Sequence, residues 1–356
     1  MNLQRLGPPL LALTIGLTSG SLAYLINMPL PWMLGSMIGV TIAAMSGVPI
    51  TAPNRMRPFV IPIIGVMLGS GITAEVLSLL GQWVQTLLIL PLVLVVSGGV
   101  SFFVYRRFGG YDPVTAFYSS MPGGLNEMLL FGGAAGGDER RIALAHAARV
   151  LLIIFLVALV FGVVFGIQSG ATAGNWTPLT EPTVLDYVLL AGCAVVGLPL
   201  ARMIRLPAPG LFGPMILSGA VHVIGWTHVP PPSLFIIGAQ IVVGTIIGCR
   251  FVGATLREVG HDLMLAAVVT VLAIASTATF AGFITWAIGM PTAQAFLAFA
   301  PGGVTEMSLM TLAIDQDVAF VSVAHLIRIT LVIAVAPPLF TLFARITGLA
   351  KGSGLD

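Results

Sequence analysis

Two copies of a Pro-Gly-Gly motif are the parts of this sequence whose residue types could do chemistry. The first is Pro122-Gly123-Gly124, followed by Glu127, His146 and Arg149. The second is Pro301-Gly302-Gly303, followed at the same spacings by Glu306, His325 and Arg328. Each His–Arg pair is three positions apart and would share one face of a helix. A buried carboxylate can accept a proton or a cation, a histidine titrates near neutral pH, and an arginine binds carboxylate or phosphate bidentately. These residues indicate ion-coupled binding of a charged solute.

The motif itself predicts a break in a helix, because proline removes an amide donor and glycine tolerates positive φ. Backbone groups left unpaired at membrane depth are tolerated only beside buried protein or a water-filled cavity. Two such breaks at matching positions indicate a substrate site near the membrane midplane, faced by the positive end of the half-helix after each break. The predicted substrate-binding residues are Ser120, Pro122, Gly123, Gly124, Asn126, Glu127, His146, Arg149, Pro301, Gly302, Gly303, Thr305, Glu306, His325 and Arg328; no catalytic residue, metal ligand or cofactor is expected.

Structural roles compete with these functional ones. Glu127 and Arg149 could form a salt bridge, and Glu306 and Arg328 its image, because pairing is a common way to tolerate buried charge. The two histidines could equally hydrogen-bond backbone groups freed by the breaks. Asp138 and Asp317, which precede the helices that carry the His–Arg pairs, are expected to be N-caps.

The composition requires a lipid environment. The 356 residues are 57% hydrophobic and 8% charged, whereas soluble domains carry roughly 25% charged residues. Lipid must therefore solvate most of the surface. The apolar run near the start could pass for a signal peptide, but a counterpart near residues 187–201 favours a retained first helix.

The chain is an internal duplication. From residue 122 to 149, 11 of 28 positions are identical to their counterparts at 301–328, and the Pro-rich run at 29–35 matches 207–213 with a one-residue slip. The predicted organisation is a first membrane repeat (1–168), an external linker (169–183) and a second membrane repeat (184–356).

Hydropathy and charge predict an all-α integral membrane protein of two inverted-topology repeats. Each repeat has five crossings plus one broken or re-entrant helix (112–134 and 291–314). The crossings are 8–26, 30–48, 58–80, 83–105 and 139–167, then 185–201, 208–226, 233–256, 262–288 and 318–346. This arrangement puts thirteen basic residues, all but Arg149 and Arg328, at cytoplasmic ends and none outside. If the broken segments crossed the membrane instead, seven of these basic residues would be cytoplasmic and six would be outside. Another short span, such as 30–48, could fold back instead while the broken helix crosses. That topology has the same number of crossings per repeat, so charge does not distinguish the two alternatives.

The motifs resemble those of the AbrB-type membrane protein family. The resemblance rests on Pro-Leu-Pro-Trp-Met-Leu-Gly at 29–35 with Pro-Ala-Pro-Gly-Leu-Phe-Gly at 207–213, and on the two Pro-Gly-Gly-x-x-Glu-Met runs, and it covers essentially the whole chain. Members of that family are labelled in places as ammonia monooxygenases or as regulators of gene expression. No basic patch or soluble module suited to nucleic acid is present.

The function expected from these features is ion-coupled secondary transport of a small, anionic organic solute, driven by protons or sodium, in the bacterial inner membrane with both termini cytoplasmic. No nucleotide-binding Gly-x4-Gly-Lys-Ser/Thr motif occurs, so we expect neither ATP drive nor an enzyme. A membrane-embedded regulator or sensor without transport is the alternative, and a metal-dependent membrane oxidase ranks below it. Glycine pairs such as Gly16 with Gly20 and Gly162 with Gly166 permit a homodimer.

Overall fold

The chain folds into helices joined by short loops, in a computed structural model that describes residues 7–72, 79–165, 176–253 and 256–346. The described residues form fifteen α-helices and no β-strand. The first half contains α1 (Gly7–Leu25), α2 (Pro31–Met45), α3 (Arg57–Ser70), α4 (Leu80–Leu87), α5 (Leu90–Arg107), α6 (Pro113–Ser120), α7 (Leu125–Ala134) and α8 (Glu139–Phe165). The second contains α9 (Val184–Met203), α10 (Pro209–Ile224), α11 (Ser233–Gly248), α12 (Leu256–Ile288), α13 (Thr292–Phe299), α14 (Val304–Ala313) and α15 (Val318–Ile346).

The helices are those of a multi-pass membrane protein. Within the described ranges, seven segments are long and apolar enough to cross a membrane: Gly7–Leu25, Gly81–Arg107, Glu139–Gly162, Val184–Met203, Ser233–Phe251, Gly260–Ile288 and Val318–Ile346. The other three predicted crossings contain the shorter helices α2, α3 and α10, of 15, 14 and 16 residues. At ~1.5 Å per residue these reach about 21–24 Å, less than the ~30 Å hydrocarbon core. Part of the predicted crossing 58–80, residues 73–78, lies outside the described residues.

The two halves match in their helix boundaries. Helices α6, α7 and α8 start at residues 113, 125 and 139. Their counterparts α13, α14 and α15 start at 292, 304 and 318, a constant offset of 179 residues. Helices α2 and α10 start at 31 and 209, an offset of 178 residues. Positive φ angles recur at the latter offset: 55° at Asn27 and Arg205, 45° at Leu30 and Ala208. Positive φ is uncommon outside glycine, so its recurrence at matched positions is what a duplication would produce.

Each half contributes a helix to the packing of the other, because α3 packs on α10 and α11 packs on α2. Gly65 of α3 lies against the carbonyl of Leu211 in α10, and Gly244 of α11 lies against the carbonyl of Met33 in α2. These contacts are equivalent, since Gly244 is the repeat counterpart of Gly65 and Leu211 that of Met33. A Cβ at either glycine would clash with backbone, so the close approach of these helices requires glycine.

The helices form two bundles, and each bundle draws on both halves. We call α1–α3 with α9–α11 the first bundle, and α4–α8 with α12–α15 the second bundle. They meet where α3 approaches α14 and α15 and where α2 approaches α8. One apolar cluster runs through both, with Met33 and Leu68 in the first bundle and Ile153 and Phe320 in the second. Polar side chains at this border are therefore exceptions that need explanation.

The described part of the predicted linker, residues 176–183, is tied to the second half. The Ser233 amide donates to the Thr177 carbonyl (3.0 Å), and the Thr177 amide donates to the Ser233 hydroxyl (3.0 Å). Thr183 and Asp186 form a capping box at the start of α9. Residues 169–175 of the linker lie outside the described residues.

One glycine pair predicted to permit a dimer is used inside the chain. A Cβ at Gly16 would meet Thr245 of α11, and one at Gly20 would meet Trp32 of α2. Both glycines are buried, so this pair packs α1 and offers no face to a second chain. In the other pair, Gly166 lies outside the described residues.

Candidate functional site

The Pro-Gly-Gly motifs break helices where the sequence predicted. In the second bundle, α6 ends at Ser120 and α7 begins at Leu125, while α13 ends at Phe299 and α14 begins at Val304. The N-cap residues of the second members, Gly124 and Gly303, are extended, with ψ of 137° and 149°. Each break therefore leaves carbonyl groups at the end of one half-helix and amide groups at the start of the next without helical partners.

In the first half, Arg149 and His146 of α8 bind the freed carbonyls. Arg149 Nη1 donates to the Ser119 carbonyl (3.3 Å) and Nη2 to the Met121 carbonyl (3.2 Å). His146 Nε2 donates to the Tyr118 carbonyl (2.9 Å), while its Nδ1 accepts from Arg149 Nη2 (2.6 Å). The positive guanidinium thus lies at the negative end of the α6 dipole.

The second half repeats this arrangement. Arg328 Nη1 donates to the Ala300 carbonyl and Nη2 to the Gly302 carbonyl (2.6 Å). His325 Nε2 donates to the Leu297 carbonyl (3.0 Å), the repeat counterpart of the Tyr118 carbonyl that His146 contacts. The hypothesis that the histidines hold backbone freed by the breaks is confirmed.

The glutamates lie over the opposite end of each break. Glu306 Oε2 lies where a Cβ on Gly303 would be, and Glu127 Oε2 occupies the same place over Gly124. The Glu306 carboxylate also accepts a hydrogen bond from its own amide. A carboxylate in the first helical turn is favoured by the helix dipole, so each glutamate compensates the positive end of α7 or α14.

The alternative in which Glu127 pairs with Arg149, and Glu306 with Arg328, is therefore wrong. Among the described residues, Glu127 forms no ion pair with Arg149, and Glu306 forms none with Arg328. The arginine serves the carbonyl end of a break and the glutamate serves the amide end, so their charges are compensated by helix termini rather than by each other. The predicted caps are confirmed: Asp138 accepts from the Arg141 amide (3.1 Å) and Asp317 from the Phe320 amide (3.0 Å).

A cavity of about 550 Å³ lies between the two bundles and joins the two breaks. Its volume falls within the usual range for small-molecule sites. The predicted site residues that line it are Pro122, Gly123, Gly124, His146, Arg149, Pro301, Gly302, Gly303, Thr305, Glu306 and Arg328. Helices α3, α9, α10 and α11 of the first bundle close its other side.

Four predicted residues do not line this cavity. Ser120 is buried and donates to the Phe117 carbonyl (2.7 Å). Asn126 is exposed, Glu127 is half-buried, and His325 is fully buried behind the break. The site is thus asymmetric, because Glu306 lines the cavity and its counterpart Glu127 does not.

Comparison with known proteins places the chain in a family. The family model described as "Transition state regulatory protein AbrB" matches residues 32–344. The chain belongs to the AbrB family. It is 27% identical to "Uncharacterized protein YhjN" of Bacillus subtilis (strain 168), over 95% of this chain and 94% of that protein. It is also 27% identical to "Putative regulator AbrB" of Escherichia coli (strain K12), over 92% of this chain and 93% of that protein.

Three cavity residues of this AbrB-family chain were missed from the sequence as site residues. Arg57 at the start of α3, Arg202 near the end of α9 and Arg250 just after α11 line the cavity beside Glu306. From the sequence they count only as cytoplasmic charges. One feature of the sequence could have singled them out. Their equivalents in the other repeat, Ile236, Tyr24 and Gly71, carry no charge, so the duplication does not account for them.

The described residues of this AbrB-family chain contain no group of three or more His, Cys, Asp or Glu side chains placed to hold a metal ion. Each of the two site histidines uses Nε2 on a carbonyl, and His146 also uses Nδ1 on Arg149. The free cysteines, Cys193 and Cys249, are buried and do not line the cavity.

Proposed function

We propose that this AbrB-family protein is an ion-coupled secondary transporter of a small solute, which binds in the cavity between the two bundles. The observation that carries the proposal is that both Pro-Gly-Gly breaks, from opposite halves of the chain, line one cavity. Broken helices at matching positions are the common way in which transporters present backbone groups and helix ends to a substrate.

The packing of equivalent helices supports inverted repeats. The start of α3, at Arg57 and Pro58, lines the same cavity as the end of α11, at Ile247 and Arg250. Two equivalent helices that bring opposite ends to one place run in opposite directions. Likewise, Tyr105 near the end of α5 packs with the early part of its equivalent helix, α12.

The proposed setting is the bacterial inner membrane, with lipid around both bundles, both termini cytoplasmic and linker 169–183 external. The positive-inside rule supports this orientation. It puts Arg57, Arg202 and Arg250 on the cytoplasmic side, and all three line the same cavity. The proposal needs no nucleic acid and no enzymatic step, and a homodimer remains compatible with it.

The division into bundles supplies a mechanism for alternating access. A shift of one bundle along the apolar border would open the cavity first to one side and then to the other. The hydrogen bonds from Arg149 and Arg328 to the carbonyls of the breaks, which we call the braces, keep the second bundle rigid meanwhile. Glu306, 6% exposed and on the cavity wall, is the group we assign to the coupling proton or sodium. Buried carboxylates at membrane depth commonly serve as proton or cation acceptors.

The alternative, a regulator or sensor without transport, is favoured by the words "regulatory" and "regulator" in the names of the family model and of the Escherichia coli relative. It predicts a cavity that opens to one side of the membrane only. The two functions can therefore be separated before any substrate is known.

The test is the accessibility of a cysteine placed in the cavity wall. Thr305→Cys, in a chain without its two native cysteines, would be exposed to a membrane-impermeant maleimide in right-side-out and in inside-out vesicles. A transporter predicts labelling from both sides over time, slowed by any ligand that fills the cavity. Labelling from a single side, however long the incubation, would contradict transport and favour the regulator. Thr180→Cys in the linker is the control, because it should react from one side in either case.

A further inference from the structure

Three arginines line the same cavity although they lie far apart in the chain. Arg57 comes from α3, Arg202 from α9 and Arg250 from the turn after α11. The side chains of all three are exposed, so they are open to a ligand. In the described part of the chain, none of the three guanidinium groups has a hydrogen bond or an ion pair within 4 Å. Guanidinium groups that line one cavity with no carboxylate within ion-pair distance are suited to a bound anion.

This arginine cluster (Arg57, Arg202 and Arg250) does not follow from the duplication. The equivalent positions in the other half are occupied by uncharged residues, whereas the braces of both breaks are present twice. Fold stability therefore accounts for Arg149 and Arg328 but not for the cluster. Orientation in the membrane explains why these arginines lie on one side only, but it does not explain why three arginines from separate helices line one cavity.

The two arginines that bind the break carbonyls, Arg149 and Arg328, also contribute to the cavity wall. Arg149 and Arg328 are 4% and 3% exposed, and both line the cavity. In each, Nη1 and Nη2 are hydrogen-bonded, whereas the buried Nε has no partner. A buried donor without an acceptor costs free energy, so each guanidinium binds its helix carbonyls at the cost of leaving Nε unpaired.

The charges that line the cavity do not balance. Five arginines line it, the cluster plus Arg149 and Arg328, while Glu306 is the one acidic side chain among the described lining residues. The charges of Arg250 and Arg57 act on the Glu306 carboxylate. Of the five positive charges, helix carbonyls compensate two. The cluster is left with three charges against one carboxylate, so a singly charged ligand would leave an excess.

We propose that the cavity binds a small organic anion with at least two negative charges, either a di- or tricarboxylate or an organic phosphate, and that Arg57, Arg202 and Arg250 bind its oxygens in competition with the Glu306 carboxylate. This inference names the substrate class of the transport site proposed above and rests on that proposal. Binding of the anion screens the Glu306 carboxylate from the positive charges of Arg57 and Arg250, and the carboxylate can then take up the coupling cation. Substrate and coupling ion are thereby linked through one set of arginines.

The first test is binding by the purified full-length protein in detergent, measured as thermal stabilisation and by calorimetry. The probes are succinate, citrate and glycerol 3-phosphate at millimolar concentration, with acetate as the singly charged control and succinamide as the neutral one. We expect stabilisation by at least one multivalent anion and by neither control. Success with glycerol 3-phosphate alone would identify a phosphate site, and success with the carboxylates alone a carboxylate site. No stabilisation by any of the three, or equal stabilisation by acetate or succinamide, would overturn the inference.

The second test uses variants against the anion that binds. Arg57→Gln and Arg250→Gln should weaken binding about tenfold or more, because each removes charge-assisted hydrogen bonds. Arg55→Gln, close to Arg57 in the chain and outside the cavity lining, is the matched control and should bind as the native chain does. Glu306→Gln should bind the anion more tightly, because it removes the competing carboxylate. Unchanged affinity in both arginine variants, or weaker binding in Glu306→Gln, would contradict the proposed competition.

The two proposals fail in different ways. Anion binding together with one-sided labelling of Thr305→Cys would leave an anion receptor, so transport would be wrong and the inference right. Two-sided labelling without anion binding would mean that transport is right and the anion class wrong. Should an arginine variant not fold, Arg57→Lys keeps the charge while it loses the bidentate fork, and its weaker binding in a folded protein decides the point.

Discussion

Replacing Arg328 by methionine tests whether this buried arginine holds the broken helix together. Methionine keeps a long unbranched side chain but has no donor, so the carbonyls of Ala300 and Gly302 lose their partners. At ~0.6 kcal/mol per bond, as within membranes, to ~2 kcal/mol for charge-assisted bonds, the two bonds predict a loss of about 1–4 kcal/mol in the free energy of unfolding.

The assay is equilibrium unfolding in mixed micelles with increasing SDS, followed by tryptophan fluorescence and circular dichroism. Arg345→Met is the matched control, because Arg345 is exposed in the last turn of the same helix, α15, and should cost nothing measurable. Arg149→Met should lose a similar amount or more, since Arg149 also donates to His146.

A particular pattern would refute the bracing role. If Arg328→Met unfolds at the same SDS fraction as the native protein yet no longer binds anion, Arg328 is a ligand-binding residue and the carbonyl contacts contribute little. If both Arg328→Met and Arg345→Met lose stability equally, the effect is one of charge near α15 and not of the break. Only a loss confined to the two buried arginines agrees with the geometry.

Three further outcomes follow from the described contacts. Gly65→Ala and Gly244→Ala should each destabilise the protein by about 1–3 kcal/mol in the same assay, because the added Cβ meets a backbone carbonyl of the facing helix; unchanged stability in both would contradict the exchange of helices between halves. Asp317→Ala should cost about 1 kcal/mol as the loss of an N-cap, and Asp317→Asn, which keeps an acceptor, should recover most of it. Thr180→Cys should react with an impermeant maleimide only from outside intact cells, and labelling only in inside-out vesicles would invert the proposed orientation.

Much of the fold could be predicted because its signals are local. Helix breaks at Pro-Gly-Gly, caps at Asp138 and Asp317, and long apolar runs each depend on a few neighbouring residues. The constant offset between the two motif copies then carried those predictions from one half to the other. The shorter lengths of α2 and α10 were harder to anticipate, because an apolar run does not show that the helix ends at Met45 or Ile224, shortly before a glycine with positive φ.

The partners of the buried charges could not be predicted in the same way. The sequence places Glu127 and Arg149 at membrane depth, and pairing them with each other is the simplest way to satisfy both. The acceptors that Arg149 uses are backbone carbonyls at the end of α6, which have no side-chain signature. Their availability depends on how α6 lies against α8, a tertiary relation. The two ends of a broken helix can thus compensate buried charges as well as a direct salt bridge can. In this protein the helix ends compensate them.

The role of the arginine cluster turns on a similar competition between explanations. Cytoplasmic arginines are expected in any membrane protein of this topology, and orientation alone could account for Arg57, Arg202 and Arg250. Orientation, however, requires only a side of the membrane and not convergence on a cavity. Arg55 and Arg205 meet the topological requirement equally well, close to cluster members in the chain, without lining the cavity. If orientation were the whole explanation, Arg55→Gln and Arg57→Gln would be equivalent in every assay. A difference in anion affinity between these two neighbouring substitutions, at equal expression and with the same labelling of Thr180→Cys, can arise only if the position of the charge at the cavity matters.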